Sequence, residues 1–331
     1  MTANALVSVI IPVHNRPVLL RDAVASVLAQ THRPIEIIIV DDGSTDDTLK
    51  VCHQLAAQSE TQSSKGSIKI TVIQQQNQGP GVARENGRQQ ATGEYIQYLD
   101  SDDLLLPSKL SLQIAAFDRK PEAQICYGKE ARLPLSQDIG TIVWSKVKPI
   151  KATGEKFDSI FPKLLEKNTL WGTSVPLWRK SLTDKMGAWL PLSNQEDVEY
   201  DARAGAHNVS LEYVPEFLAI QRTHDDHLSS GGTTDPRKLR DILTAREHIF
   251  RHVQTASQVD AFNLEHYAKS VFLLARMFAA QGMKAETHEA IALSKKALGK
   301  TNIQLTFYLL VSRVLGVRVA QRLFSLLEKF R

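Results

Sequence analysis

Four short runs of β-branched and aromatic residues recur through the first hundred positions, at 7–13, 36–40, 68–74 and 95–99. Segments of helical character separate them. Residues 18–29 place Leu19, Leu20, Ala23, Val24, Val27 and Leu28 on one helical face, Thr45-Asp46-Asp47 opens a second helix, and 82–91 reads as a third. Gly93 ends the third helix just before the fourth run. Runs this apolar suit strands buried on both faces, and strand–helix alternation restricts the chain to a parallel sheet covered by helices. In such sheets ligands sit beyond the carboxyl ends of the strands, so the residues ending each run carry the functional information.

Those ends are polar. The first run, in which Pro12 is expected at the strand's end because it cannot donate to a ladder, leads into His14-Asn15-Arg16. The second leads into Asp41-Asp42-Gly43-Ser44, and the fourth into Asp100-Ser101-Asp102-Asp103. Three crowded carboxylates repel one another unless a cation sits among them. Oxygen donors of this kind suit a hard divalent ion, Mg²⁺ or Mn²⁺, which keeps open positions for phosphate. Taken alone, the same acids equally describe a solvated turn leading to a helix that opens at Pro107. Gly79-Pro80-Gly81 lacks the Gly-Lys-Ser of a Walker loop, and no Gly-x-Gly-x-x-Gly follows the first run. That argues against an ATPase and a nicotinamide enzyme.

Beyond residue 103 the alternation loosens. Residues 110–117 read as a helix, 124–128 as a short strand, 132–150 as extended pieces, 155–167 as a helix and 173–179 as a strand. Glu196 and Asp197 then stand at the start of a helix, where its dipole favours acids, and 209–220 forms a further strand. Trp171 and Trp178 suit either a stacking platform for a ligand or the half-buried core. From 235 onward the pattern is helical, over 236–252, 264–281, 285–298 and 303–330, with Gly282 and Gly299 as breaks. The last of these is amphipathic and basic, a pattern that serves packing against the preceding domain or peripheral membrane contact through 303–330.

The chain has 331 residues, 43% apolar, with a net charge of only +4, which does not favour nucleic acid as a partner. Cys52 and Cys126 lack metal-type spacing and fit a reducing compartment. No basic stretch followed by an apolar run marks the N-terminus, and no run of 18 apolar residues occurs. A cytoplasmic protein, peripheral at most on the inner face of the membrane, is expected.

Taken in order, Val9-Ile10-Ile11-Pro12-Val13-His14-Asn15-Arg16, Val40-Asp41-Asp42-Gly43-Ser44-Thr45-Asp46, Ala83-Arg84, Gly93-Glu94-Tyr95-Ile96, Leu99-Asp100-Ser101-Asp102-Asp103 and Glu196-Asp197 resemble family 2 glycosyltransferases. The resemblance covers about residues 5–230. It implies an α/β fold of GT-A type, a Rossmann-like and mostly parallel sheet, with a C-terminal all-α extension. The implied division is a catalytic domain at 1–232, its nucleotide-binding half 1–103 and its acceptor-binding half 104–232, then helices at 233–331. It further implies a nucleotide-sugar donor, a UDP-sugar first among them, a divalent cation, and a glycan or lipid-linked acceptor in cell-surface polysaccharide synthesis. Pro12, His14, Asn15, Asp42, Arg84, Asp100 and Arg222 match donor-binding positions. Asp102 and His224 match metal-binding ones, Asp197 matches the general base of an inverting displacement, and Glu196 matches an acceptor-positioning group. Glu85 and His227 stand where the family usually has asparagine. Two rival readings are a nucleotidyltransferase, which would want a Gly-rich basic loop where His14-Asn15-Arg16-Pro17 stands, and a non-catalytic scaffold built on the helical tail.

Overall fold

The computed structural model describes residues 5–61, 68–223, 235–256, 259 and 261–299, together with Val311 and Val319. The expected helix at 303–330 and the run His224–His227 therefore lie outside the described residues, save for those two valines.

Strands β1 (Val7–Val13), β2 (Ile35–Asp42), β3 (Ile68–Gln75) and β4 (Tyr95–Tyr98) pair in parallel in the order β3-β2-β1-β4. Every residue of β1 and β4 is buried. This is the signature of strands sandwiched between helix layers, here α1 (Pro17–Leu28), α2 (Thr48–Thr61) and α3 (Pro80–Gln90). Pro12 is next to last in β1, beyond the Val7–Ile10 stretch that pairs with β4. Gly87 lets α3 approach closely. A Cβ there would meet Ile10 Cγ2 of β1 at 2.4 Å and Val40 Cγ2 of β2 at 3.3 Å.

The second half of the sheet is mixed in direction. Strand β7 (Leu177–Arg179) runs antiparallel to β4, followed across the sheet by β6 (Ile125–Pro134), β8 (Leu211–Thr223) and the two-residue β5 (Leu104–Leu105). Strands β7 and β5 run against the other strands, while β6 and β8 pair in parallel. The eight strands form one mixed sheet. Here the sequence expectations need correction. Strand β6 continues past Gly128 to Pro134, because the polar stretch from Lys129 is carried by pairing with β8 across two register shifts. The helix expected at 155–167 is only α5 (Lys163–Lys167), since Pro162 stands where an earlier start would need a backbone donor. The strand expected at 173–179 begins only after Pro176, because Val175 N closes a turn onto Gly172 O. Helix α4 (Lys109–Arg119) opens two residues after Pro107, and α6 (Lys180–Met186) and β5 were not anticipated.

Helix α7 (Glu196–Ala206) precedes β8, and α8 (Pro236–Thr255), α9 (Ala261–Gln281) and α10 (Lys284–Leu298) follow it. Leu239, Phe250, Tyr267, Phe278 and Ala290 from these last helices belong to the same continuous apolar core as the sheet. Trp171 and Trp178 are also core residues, each about 2% exposed, and Trp171 Nε1 donates to Asp201 at 3.0 Å. Among the described residues, no helix is long and apolar enough to cross a membrane.

Gly87→Val is expected to push α3 off the sheet and cost about 1–3 kcal/mol of stability, as overpacking does elsewhere. Urea unfolding monitored by circular dichroism measures the loss; an unchanged midpoint would contradict the close packing of α3.

Candidate active site

One cleft of about 360 Å³ opens at the carboxyl ends of β1, β2 and β4. Its walls bring together segments far apart in sequence. Pro12 and His14 come from the end of β1, Asp42 from the end of β2, and Arg84 from α3. Asp100, Asp102 and Asp103 come from the turn after β4, and Glu196 and Asp197 from the first turn of α7. Eight of the residues singled out in the sequence thus share one cavity: Pro12, His14, Asp42, Arg84, Asp100, Asp102, Glu196 and Asp197.

Arg84 joins the two sides. Its guanidinium donates to Asp100 Oδ1 and to Glu196 Oε1, both at 2.7 Å, and lies 4.9 Å from the centre of the Trp189 ring. The close approach of α3 to the segment before α7 makes this reach feasible. At Gly81 a Cβ would stand 2.2 Å from Leu190 O. Burial works against the Arg84 charge, but Asp100 and Glu196 outweigh it and the pKa of Arg84 rises. Glu196 moves the other way from an ordinary ion-paired acid. Burial first, and then the charge of Asp197, push its carboxyl up to about 7 against the pull of Arg84. With Asp100 already on the same guanidinium, Glu196 can hold a proton near neutrality without leaving a buried positive charge unpaired.

The turn after β4 is tightly held. Ser174 Oγ donates to Asp103 Oδ2 at 2.9 Å and accepts from Asp100 N at 3.2 Å. Burial, then the charges of Asp102, Asp100 and Glu130, raise the Asp103 carboxyl well above the carboxylate range. Arg16 pairs with Asp102 Oδ2 at 2.5 Å. The cleft lining holds six acids, Asp42, Asp100, Asp102, Asp103, Glu196 and Asp197, against three basic side chains, Arg16, Arg84 and Lys238. Burial shifts Asp103 and Glu196 toward the neutral form, and the remaining acids still crowd one end of the cleft. A hard divalent cation would offset that crowding beside a diphosphate, and the oxygen donors of Asp102 and Asp100 fit one.

Three expectations change. Asn15 is not among the lining residues. Its Oδ1 accepts from Thr45 N at 2.8 Å and its N–H donates to Ser44 Oγ at 3.0 Å, so it ties the loops after β1 and β2 together. Arg222 stands behind the acids and not in the cleft. Its Nε donates to the backbone carbonyl of Asp102 at 2.6 Å and its Nη1 to Asp22 at 2.7 Å, which commits the guanidinium to holding the turn. Asp42 does line the cleft, but its carboxylate accepts from Gln75 Nε2, Gln78 N and Gly79 N at 2.8, 2.8 and 2.9 Å. It anchors the start of α3 beside any contact it makes with a base. His14 accompanies it, Nδ1 lying 2.9 Å from Asp42 O. His224 lies outside the described residues.

Sequence reasoning quoted Arg16 with His14-Asn15 but gave it no role, and it passed over Ser174 and Lys238. Those two carried no local signal, being single polar residues whose roles come from chain segments packed against the site. Asp197 sits half-buried at the cleft, with Oδ1 accepting from Val198 N at 2.8 Å.

Residues 8–160 match the family model described as glycosyl transferase family 2. That stretch, just under half of the chain, is similar to family 2 glycosyltransferases. A curated relative named as an uncharacterized glycosyltransferase of Rickettsia felis is 44% identical over 108 residues, which is 33% of this chain and 16% of that protein. The GalNAc(5)-diNAcBac-PP-undecaprenol beta-1,3-glucosyltransferase of Campylobacter jejuni is 42% identical over 104 residues, 31% of this chain and 32% of that one. The chain thus spans less than a third of the length of either relative. Among solved structures, S. aureus TarS 1-349 in complex with UDP-GlcNAc aligns with a TM-score of 0.70 at 17% identity, over 96% of this chain and 91% of that one. The fold is accordingly of GT-A type.

A proton held by folded Glu196 up to about pH 7 is released near 4.5 in an unfolded chain. The native state therefore binds the extra proton between those values, and this group's contribution to stability falls as pH rises from about 4.5 to about 7. Melting temperatures measured across that range should decline less steeply for Glu196→Gln than for the parent chain. Equal slopes would show that Glu196 does not carry the raised pKa.

Proposed function

We propose that this chain transfers a sugar from a nucleotide-sugar donor, a UDP-sugar first among the candidates, to a hydroxyl of a glycan or lipid-linked acceptor, with inversion at the anomeric carbon. The observation that carries the reading is the meeting of Asp197 with the acids after Leu99 in one cleft, bridged through Glu196, Arg84 and Asp100.

In this reading Pro12, His14 and Asp42 receive the nucleotide base, the imidazole offering a flat face for it. Asp102, with Asp100 beside it, holds a divalent cation; when bound, the cation supplies charge stabilisation to the departing diphosphate. Asp197 faces the acceptor and takes the proton from its hydroxyl as that oxygen bonds to the anomeric carbon. The bond from that carbon to the phosphate oxygen breaks in the same displacement, and its electron pair leaves with the nucleoside diphosphate. No enzyme nucleophile is required. A general base contributes about 10²–10⁴-fold in such a step. Glu196, able to stay protonated near neutrality, donates to or positions the acceptor without competing for its proton. Arg16 pairs with Asp102, so a cation taken up there would compete with its guanidinium for that carboxylate. The acceptor class draws support from the lipid-linked glycan named in the Campylobacter relative, and the donor class from the UDP-GlcNAc in the TarS complex. Both agree with a step of cell-surface polysaccharide assembly at the cytoplasmic face of a membrane.

A panel of UDP- and GDP-sugars, with and without Mn²⁺, tests the reading through release of nucleoside diphosphate. Metal-dependent turnover is expected, abolished in Asp102→Ala and lowered at least about 10²-fold in Asp197→Asn with donor binding retained. Full activity in both variants, or turnover indifferent to chelation, would overturn the roles assigned here.

A further inference from the structure

Away from the cleft, helix α7 carries a second group of potential ligands. Glu199 stands one turn beyond Glu196, and His248 and His252 stand one turn apart on α8. One donor atom from each of the three lies within 4.8 Å of the others. The Glu199 side chain is fully buried, and both histidines are half-buried. His252 Nε2 is already 2.8 Å from Glu199 Oε1. We propose that Glu199, His248 and His252 bind a divalent ion of the zinc class, which clamps α8 onto the helix bearing Glu196 and Asp197.

The donor set decides the class of ion. Two imidazoles and one carboxylate suit Zn²⁺ and its neighbours, whereas the oxygen-only acids of the cleft suit Mg²⁺ or Mn²⁺. Histidines at i and i+4 present both rings on one helical face, the spacing by which helices hold zinc. Three protein donors leave a fourth position for water. Arg203 completes the arrangement. Its Nη2 donates to Glu199 Oε2 at 2.5 Å and its Nε to Oε1 at 3.2 Å, while Nη1 donates to Met186 O and Ala188 O. Anchored by those two carbonyls, the guanidinium fixes the carboxylate's orientation, as hydrogen-bond partners behind metal ligands do. Monodentate binding through Oε1 keeps the Arg203 contact with Oε2.

The consequence for the protein is mechanical. Helix α8 already touches the cleft segment, since Asp241 accepts hydrogen bonds from Ser193 N at 2.8 Å and from Ser193 Oγ, and Lys238 lines the cleft. An ion at Glu199 adds a second attachment two turns and more along the same helix. It would fix the angle at which α7 presents its first turn.

The test uses the full chain, stripped with chelator, dialysed and held in excess Mg²⁺ so that the oxygen-only cleft is not vacant for zinc. One Zn²⁺ per chain is expected by competition with a chromophoric chelator, with a rise of several degrees in melting temperature as binding to the native state adds stability. His248→Ala and His252→Ala, each replacing a half-buried polar side chain, should each weaken that site about 100-fold or more and remove the thermal shift. Asp102→Asn should retain both. Far-ultraviolet circular dichroism of each variant establishes that it is folded, and His248→Gln repeats the measurement should an alanine variant fail that check. Zinc binding of equal affinity in the parent and the histidine variants, or less than one ion bound per parent chain, would overturn the proposal and leave Glu199 and His252 as an ion pair alone.

Discussion

The buried guanidinium of Arg84 is the contact on which the cleft depends. One carboxylate partner, Asp100, comes from the parallel half of the molecule, and the other, Glu196, begins a helix 112 residues after Arg84. Arg84 and Glu196 are almost wholly out of water and Asp100 is about a third exposed. Removing the guanidinium would leave two acids facing each other, and breaking a buried pair in this way typically costs about 3–5 kcal/mol. The contact is thus less a source of net stability than a device of registration. It leaves few ways to seat α7 against the turn after β4, and so sets the position of Asp197 relative to Asp102. Trp189, packed on the guanidinium and stacked on Tyr200 at 4.0 Å between ring centres, closes the arrangement from the side of α7.

The same economy explains the division of the sheet. Its parallel half is local and repetitive, each strand followed by a covering helix, and its ends gather Pro12, His14, Asp42 and the acids after Leu99 on one edge. The mixed half is assembled from distant pieces. Strand β7 completes pairing with β4, and Ser174, just before it, grips both Asp100 and Asp103. One half supplies the polar groups that line the cleft from the strand ends, and the other locks their geometry.

What the sequence disclosed follows that division. Strands β1, β2 and β4 were legible because near-complete burial demands apolar runs, and the residues closing those runs stand out by contrast. Strand β3, at the sheet edge and mostly half-buried, was legible from its β-branched residues instead. Glu196 and Asp197 were legible as acids opening a helix. The partners of those residues were less so. Nothing local distinguishes Arg222 as a brace for the backbone of Asp102 from an arginine aimed at phosphate, since the difference lies in Asp22, two hundred positions away. Asp42 reads as a base-contacting acid until the amides of Gln78 and Gly79 are seen folded over it. Strand β6 was read short because Glu130, fully buried in the core, looks like a solvent-facing residue; only its acceptance of a hydrogen bond from Gly172 N and its approach to Lys151 make that burial tolerable.

The attachment of α8 to Ser193 bears on how such a chain could be dissected or recombined. A cut after β8 looks natural from the sheet alone, since the last strand is complete there. It would nevertheless strip the loop leading into α7 of its Asp241 acceptor and uncover the apolar surface against which Leu239 and Phe250 of α8 pack. Chimeras that exchange C-terminal helices between relatives would therefore need to carry α7 and its preceding loop with the donor's α8, so that the junction falls within the strand network and not between two helices that grip one another.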